Sequence, residues 1–150
     1  MPHSAEQRLG HLIKKVEHEL TSAKHMALRP LQVNVPQYNV LRALSQESGL
    51  SGAALARRCM VTPQTMSSVL STLEGRGLVE RKPHPVHGHV VEVHLTPEGR
   101  SLLTRADEVV EAIEARLAAA FSPEETETLL SYLGRGLEAL AKPEEAAARN

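Results

Sequence analysis

A proline that directly follows a threonine marks where a helix begins, and one such pair governs the middle of this chain. Thr62 brings a hydroxyl that can accept from a backbone N–H of the first turn, and Pro63 takes the first helical position, where its missing N–H leaves nothing unpaired. Met66, Val69, Leu70 and Leu73 then recur at i, i+3, i+4 and i+7 and make one apolar face. Gly77 stands where such a helix ends in a left-handed residue. Beyond it, residues 78–82 and 89–95 read as two short strands around a loop holding Pro83, Pro85 and Gly88. Val91, Val93 and Leu95 alternate with Val90, Glu92 and His94, the pattern of a half-buried strand.

The outward face of this helix is unusual. At about 100° per residue, Gln64, Ser68 and Ser71 point away from the apolar side, with Ser67 and Thr72 on the flanks, and no acid precedes Glu74. Solvated helix faces are commonly rich in Glu and Lys. Short hydroxyls instead let a backbone approach phosphates closely, and a glutamine can bond an adenine edge in two places. Gln64, Thr65, Ser67, Ser68 and Ser71 are therefore the candidate DNA contacts. The plainer alternative is a Ser/Thr-rich surface helix.

The neighbouring segments bear on that choice. Pro36 opens a helix with Val40, Leu41 and Leu44 inward, and Gly49 ends it. Ser51 caps a short helix from Gly52 to about Arg58, and a tight turn leads from there to Thr62. Two short helices joined this way have helix-turn-helix spacing, and the two strands after them make a wing. Residues 4–28 form a long first helix, with a Ser4–Gln7 capping signal and a stripe of Leu9, Leu12, Ile13, Val16, Leu20, Ala23 and Ala27. A stripe that long needs a partner along its whole length, which points to a second subunit. Thr96-Pro97 and Ser122-Pro123 repeat the cap-then-proline device. The first opens a helix carrying Leu102, Leu103, Ala106, Val110, Ile113 and Leu117; the second opens one carrying Leu129, Leu130, Leu133, Leu137 and Leu140.

Net charge is −1, which is not that of a simple nucleic-acid binder, but its distribution is informative. Residues 1–50 hold 6 basic and 4 acidic side chains, residues 51–97 hold 5 and 3, and residues 98–150 hold 6 and 11. The first two thirds are mildly positive. One cysteine means no disulfide framework, and no apolar run reaches the roughly 18 residues of a membrane span, so the expected location is cytoplasmic. Glycine-rich phosphate loops, G-x-S-x-G and H-E-x-x-H are absent, so no enzyme, no cofactor and no metal are expected.

Arg81 and Lys82, at the base of the wing, are the best-placed phosphate contacts, unless Arg81 pairs with an acid of its own subunit; Arg57 and Arg58 are further candidates. His84, His87 and His89 fall in the wing and are candidate DNA contacts, with a metal site as the rival reading. His11, His18 and His25 lie seven apart, too far for one ion, and read as a solvated face. His25, Tyr38 and Arg42 are candidate ligand-crevice residues, with core packing as the competing role for Tyr38. Cys59 reads as a small buried core residue.

The order of elements resembles that of the MarR family of bacterial transcriptional regulators over nearly the whole chain. The most specific match is Leu73-Glu74-Gly75-Arg76-Gly77-Leu78-Val79-Glu80-Arg81, then Pro85, then Val93-His94-Leu95-Thr96-Pro97-Glu98-Gly99-Arg100. These look like the family's L-E-x-x-G-L-V-x-R, wing and V-x-L-T-x-x-G blocks. The resemblance implies a mainly α (α+β) fold, a winged helix-turn-helix with N- and C-terminal dimerisation helices. Within a single domain of residues 1–150, residues 36–96 would form the DNA-binding lobe, and residues 4–28 and 97–142 the dimerisation helices. It implies a homodimer that puts residues 63–76 into the major groove of double-stranded DNA, at a pseudo-palindromic operator. It also implies a repressor that answers to a small-molecule effector. Two departures stand out. The family's wing commonly reads Asp-Arg-Arg after the proline, where this chain has His87-Gly88-His89, and relatives often carry Arg where this chain has Ser68. With histidines in the wing, DNA affinity is expected to rise as pH falls from about 8 to about 6. The alternative is a winged-helix module with weak or lost DNA binding, acting through protein partners or through a metal- or pH-sensing histidine wing.

Overall fold

The Ser/Thr helix starts read at Ser51, Thr62, Thr96 and Ser122 are helix starts in the fold. The computed structural model describes residues 5–141, with side chains from Arg8 onward, so the Ser4–Gln7 capping signal and residues 142–150 lie outside the described residues. Helix α1 (Ala5–Leu28) runs into a 3₁₀ turn (Arg29–Leu31), followed by α2 (Val35–Gln46), α3 (Gly52–Arg58) and α4 (Pro63–Gly75). Strands β1 (Val79–Pro83) and β2 (Val91–Leu95) come next, then α5 (Pro97–Ala118) and α6 (Pro123–Leu140). The Ser51, Thr62 and Ser122 side chains each accept from the backbone N–H three residues on. Helix α2 starts one residue earlier than Pro36 suggests. Asn34 caps it: its Oδ1 accepts from Gln37 N at 2.8 Å, and Gln37 Oε1 accepts from Asn34 N at 3.2 Å, a complete capping box.

Helix α4 stops as its glycine requires. Gly77 has φ +71°, and Leu78 N donates to Leu73 O at 3.0 Å, closing the last turn. The turn after α3 has the same hydrogen-bond pattern with Met60 in the left-handed position at φ 57°, a conformation that a residue with a Cβ adopts at a cost.

The two strands pair antiparallel from Val79↔Leu95 to Pro83↔Val91. They are shorter than the alternation implies. Leu78 is buried and gives its carbonyl to Thr96 N at 3.2 Å, outside the ladder, and residues 84–90 form the loop at the wing tip. Val93 is 1% exposed but Val91 is 46% exposed, because the ladder outruns the core towards the tip. Leu50 adds one bridge: Gly49 N donates to Val93 O at 3.1 Å and Val93 N donates to Leu50 O at 2.9 Å. The wing base is thus bonded to the segment between α2 and α3.

The chain divides into two compact units with the boundary between Ile113 and Glu114. In the first, Leu28, Leu41, Leu44, Leu55, Met66, Leu73, Val79 and Val93 are among its most buried side chains. Gly99 is essential to this packing. A Cβ there would stand 2.0 Å from Leu78 O, so only glycine lets α5 begin against the end of α4. Thr96 secures the junction: its hydroxyl donates to Gly77 O at 2.6 Å and accepts from Gly99 N at 3.0 Å. This is the physical content of the L-T-x-x-G block. The second unit holds the end of α5 and α6, whose capping box joins Ser122 and Glu125. Among the described residues no helix is long and apolar enough to cross a membrane.

Candidate nucleic-acid interface

Helix α4 separates its residues by face. Met66, Leu70 and Leu73 are buried, and Gln64, Thr65, Ser67, Ser68 and Ser71 are all exposed. Thr62 holds the N-terminal turn, its Oγ1 accepting from Thr65 N at 3.1 Å. Thr72 turns its hydroxyl back onto Ser68 O at 3.2 Å and so presents less of it outward. The exposed face carries donors and acceptors in fixed register and no charge until Glu74. Such a face can lie against phosphates and base edges without electrostatic repulsion.

The cations expected at the wing base are paired within the chain. Arg81 Nε lies 3.3 Å from Glu74 Oε2, and Lys82 Nζ lies 3.0 Å from Glu80 Oε1. For Arg81 this is the alternative that the sequence left open; for Lys82 the pair is an addition. The reason is register: in a ladder starting at Val79, Arg81 falls within reach of the last turn of α4. These pairs are exposed, and exposed pairs contribute under about 1 kcal/mol, so a phosphate can compete for either cation. Arg58 is similarly engaged, donating to Glu47 at 3.0 Å and to Gln46 at 2.8 Å, while Arg57 is exposed on the same turn.

His84 is engaged within its own loop. Its Nδ1 accepts from Val86 N at 3.1 Å and from His87 N at 3.0 Å, so this edge of the ring faces the loop rather than a partner. His87 and His89 are exposed. The three rings form a row, with centroids 5.2 Å apart for His84–His87 and 6.0 Å for His87–His89. Among the described residues no group of three ligating side chains is arranged to hold a metal ion.

Of the ligand-crevice candidates, Tyr38 and Arg42 come together and His25 does not join them. Tyr38 is 3% exposed; its hydroxyl donates to Asp107 at 2.8 Å and accepts from Arg42 Nη1 at 3.0 Å. Burial, and then the Asp107 hydrogen bond, raise the Tyr38 hydroxyl above its usual pKa. His25 lines a separate crevice of about 470 Å³ with Arg29, Gln32 and Gln37. A larger crevice of about 630 Å³ was not foreseen. Pro30, Gln32, Arg76, Glu98, Ser101 and Arg105 line it, and Arg76 Nη1 donates to Gln32 O at 2.6 Å. No local pattern joins these residues, which come from three separate segments.

Two other groups complete the surroundings. Ser48 Oγ lies 2.9 Å from His94 Nδ1, and His94 Nε2 lies 3.4 Å from Glu92 Oε1. The order is that of a nucleophile, base and acid, but none of the crevices above is lined by these residues. Their effect is to fasten the end of α2 to β2. Cys59 is half-buried and packs against the core; burial pushes its thiol pKa up, with Arg58 opposing.

Comparison with known proteins places this geometry. A profile of the MarR family matches residues 31–88. The HTH-type transcriptional repressor Rv2887 of Mycobacterium tuberculosis is 42% identical over 129 residues, which is 84% of this chain and 93% of that protein. Its crystal structure in complex with p-aminosalicylic acid aligns with a TM-score of 0.70 at 38% identity, over 85% of this chain and 96% of that one. The transcriptional repressor CouR bound to a 23-mer DNA duplex aligns with a TM-score of 0.80 at 26% identity, over 90% of this chain and 96% of that one.

Proposed function

This chain belongs to the MarR family of DNA-binding transcription regulators, and from that premise we propose that it acts as a homodimeric repressor whose α4 enters the major groove of a pseudo-palindromic operator. The observation that carries the reading is the exposed, uncharged face of α4, fixed in direction by its buried side. In this reading Gln64, Thr65, Ser67, Ser68 and Ser71 contact bases and phosphates. Arg81 and Lys82 exchange their carboxylate partners for phosphates, His87 and His89 approach the neighbouring groove, and residues 36–96 form the lobe that docks.

Dimerisation is supported by apolar surface on each terminal helix taken by itself. On α1, Leu9, Leu12, Ile13 and Val16 are 48% to 63% exposed; on α6, Leu130, Leu137 and Leu140 are 65% to 85% exposed. Apolar faces of that extent on single helices call for a protein partner. A small aromatic acid is the effector class that the p-aminosalicylic acid complex of the relative supports. The crevice between Arg76 and Arg105 offers two guanidinium groups to such a carboxylate. A regulator of this kind works in the cytoplasm, on chromosomal DNA.

Selection of bound sequences from a random duplex pool, followed by salt titration of the winner, tests the reading. Two half-sites about one helical turn apart and a steep salt dependence are expected. A second reading, a winged-helix module that acts through protein partners, draws on the paired Arg81 and Lys82 and on the arginine-free wing tip. No enrichment, with weak and salt-insensitive binding to every duplex, would favour it over the first.

A further inference from the structure

The wing tip is closed at two levels. At its mouth His84 N donates to Val90 O at 2.7 Å, and Val90 N donates to His87 O at 2.8 Å. Inside, the backbone N–H groups of Val86 and His87 both donate to the Nδ1 of His84. Pro85 has no N–H, so these are the first two amides available after His84. Both donors are backbone groups whose polarity is not in question. The ring nitrogen between them must therefore carry its lone pair, and the ring proton sits on Nε2.

We propose that His84 is a positioning residue of the wing: its neutral ring shapes the tip, and protonation at Nδ1 opens it. A protonated Nδ1 would present a third donor to two donors, and both bonds would be lost. The sign follows directly. The clasp needs the lone pair on Nδ1, so it is present while the ring is neutral and is lost when acid protonates it.

The surroundings give an imidazolium at this position no support. His87 and His89, the other titratable groups of the tip, add like charge in the row of rings. Residues 83–91 contain no acid. At the wing base, Glu74 is held by Arg81, Glu80 by Lys82 and Glu92 by His94. At the wing base His94 faces a carboxylate, whereas at the tip His84 faces two N–H donors.

The clasp gives His84 a second role beside that of a candidate DNA contact and works against the expected gain in affinity at low pH. Charging His87 and His89 would draw the wing towards phosphates, while charging His84 would dismantle the turn that presents them. The consequence for DNA rests on the reading under Proposed function; the clasp itself does not.

The test uses the full chain as wild type, His84→Asn and His84→Ala. Asparagine can accept from the amides two and three residues on, as an Asx turn does, and does not titrate. Nitrogen NMR of the imidazole reports the tautomer, and exchange protection of the Val86 and His87 amides, corrected for intrinsic rates, reports the clasp. The Nε2–H tautomer is expected at pH about 7.5, with about a tenfold loss of protection on going to pH about 5.5. In His84→Asn the protection should hold at both pH values, and in His84→Ala it should be missing at both. An Nδ1–H tautomer, equal loss in His84→Asn, or full protection in His84→Ala would overturn the proposal. Anisotropy with a fluorescein-labelled duplex supplies the second readout. The affinity ratio of His84→Asn to wild type should rise at the lower pH, and a ratio constant with pH would remove the gating of DNA contact. Absence of duplex binding in all three proteins would count against the regulator reading alone and leave the clasp data standing.

Discussion

Helix α4 and the wing tip both face solvent, yet they are held in opposite ways. Helix α4 drives Met66, Leu70 and Leu73 into the core and is capped by Thr62 at one end and closed by Gly77 at the other. The tip, residues 84–90, has no buried side chain, and its shape depends on backbone bonds and one imidazole. A buried apolar face fixes the outward residues at any pH where the fold survives. A loop clasped by a titratable ring keeps its shape only while that ring is neutral. The two surfaces would divide the work: a constant reader in α4 and a conditional grip in the wing.

Four substitutions sharpen or break this contrast. The largest effect belongs to Gly99→Ala, where the added methyl meets Leu78 O at the foot of the wing. It should cost about 3 kcal/mol in denaturant unfolding, and wild-type stability would mean that α5 does not pack there. Tyr38→Phe comes next. It removes a hydroxyl that donates to Asp107 and accepts from Arg42, and should cost about 1–2 kcal/mol. It also carries a pH signature. The folded Tyr38 pKa is raised, chiefly by burial, so its contribution is full below the free tyrosine value near ~10 and is lost as pH rises through the folded value. Wild type should therefore lose more stability than Tyr38→Phe between pH about 9 and about 11.

Thr62→Ala removes the cap of α4 and should cost about 1 kcal/mol, with a further loss in DNA affinity because the turn carrying Gln64 frays. The smallest stability effect belongs to the double substitution His87→Ala and His89→Ala. It should stay within about 0.5 kcal/mol of wild type in unfolding while weakening duplex binding. A large loss of stability there would break the contrast, because the tip would then be part of the frame.

The helix starts were legible because their causes are local. At Thr62-Pro63, Ser51 and Ser122-Pro123 the cap and the N–H that donates to it lie within three residues of each other. The Asn34–Gln37 box is equally local, but Pro36 marks a start one residue late because here proline occupies the second helical position. The exposed face of α4 was legible from its periodicity. That Arg81 could meet an acid was legible, but not that the acid is Glu74, which depends on how β1 leaves the end of α4; Glu80 and Lys82 are simply two apart on one strand. The role of His84 was hidden for a different reason. Three histidines in a loop look alike in a sequence, and only the geometry shows that one of them points its lone pair inward. The crevice at Arg76 and Arg105 joins residues distant in sequence, with no periodicity to announce it.

The division between reader and grip is tested most directly by the ratio of affinities for the selected duplex and a scrambled one. Gln64→Ala should lower that ratio about tenfold, the loss of one base contact, and move the scrambled duplex little. His87→Ala with His89→Ala should weaken both duplexes alike and leave the ratio unchanged. A ratio that survives Gln64→Ala but collapses with the wing substitutions would contradict the assignment of sequence reading to α4.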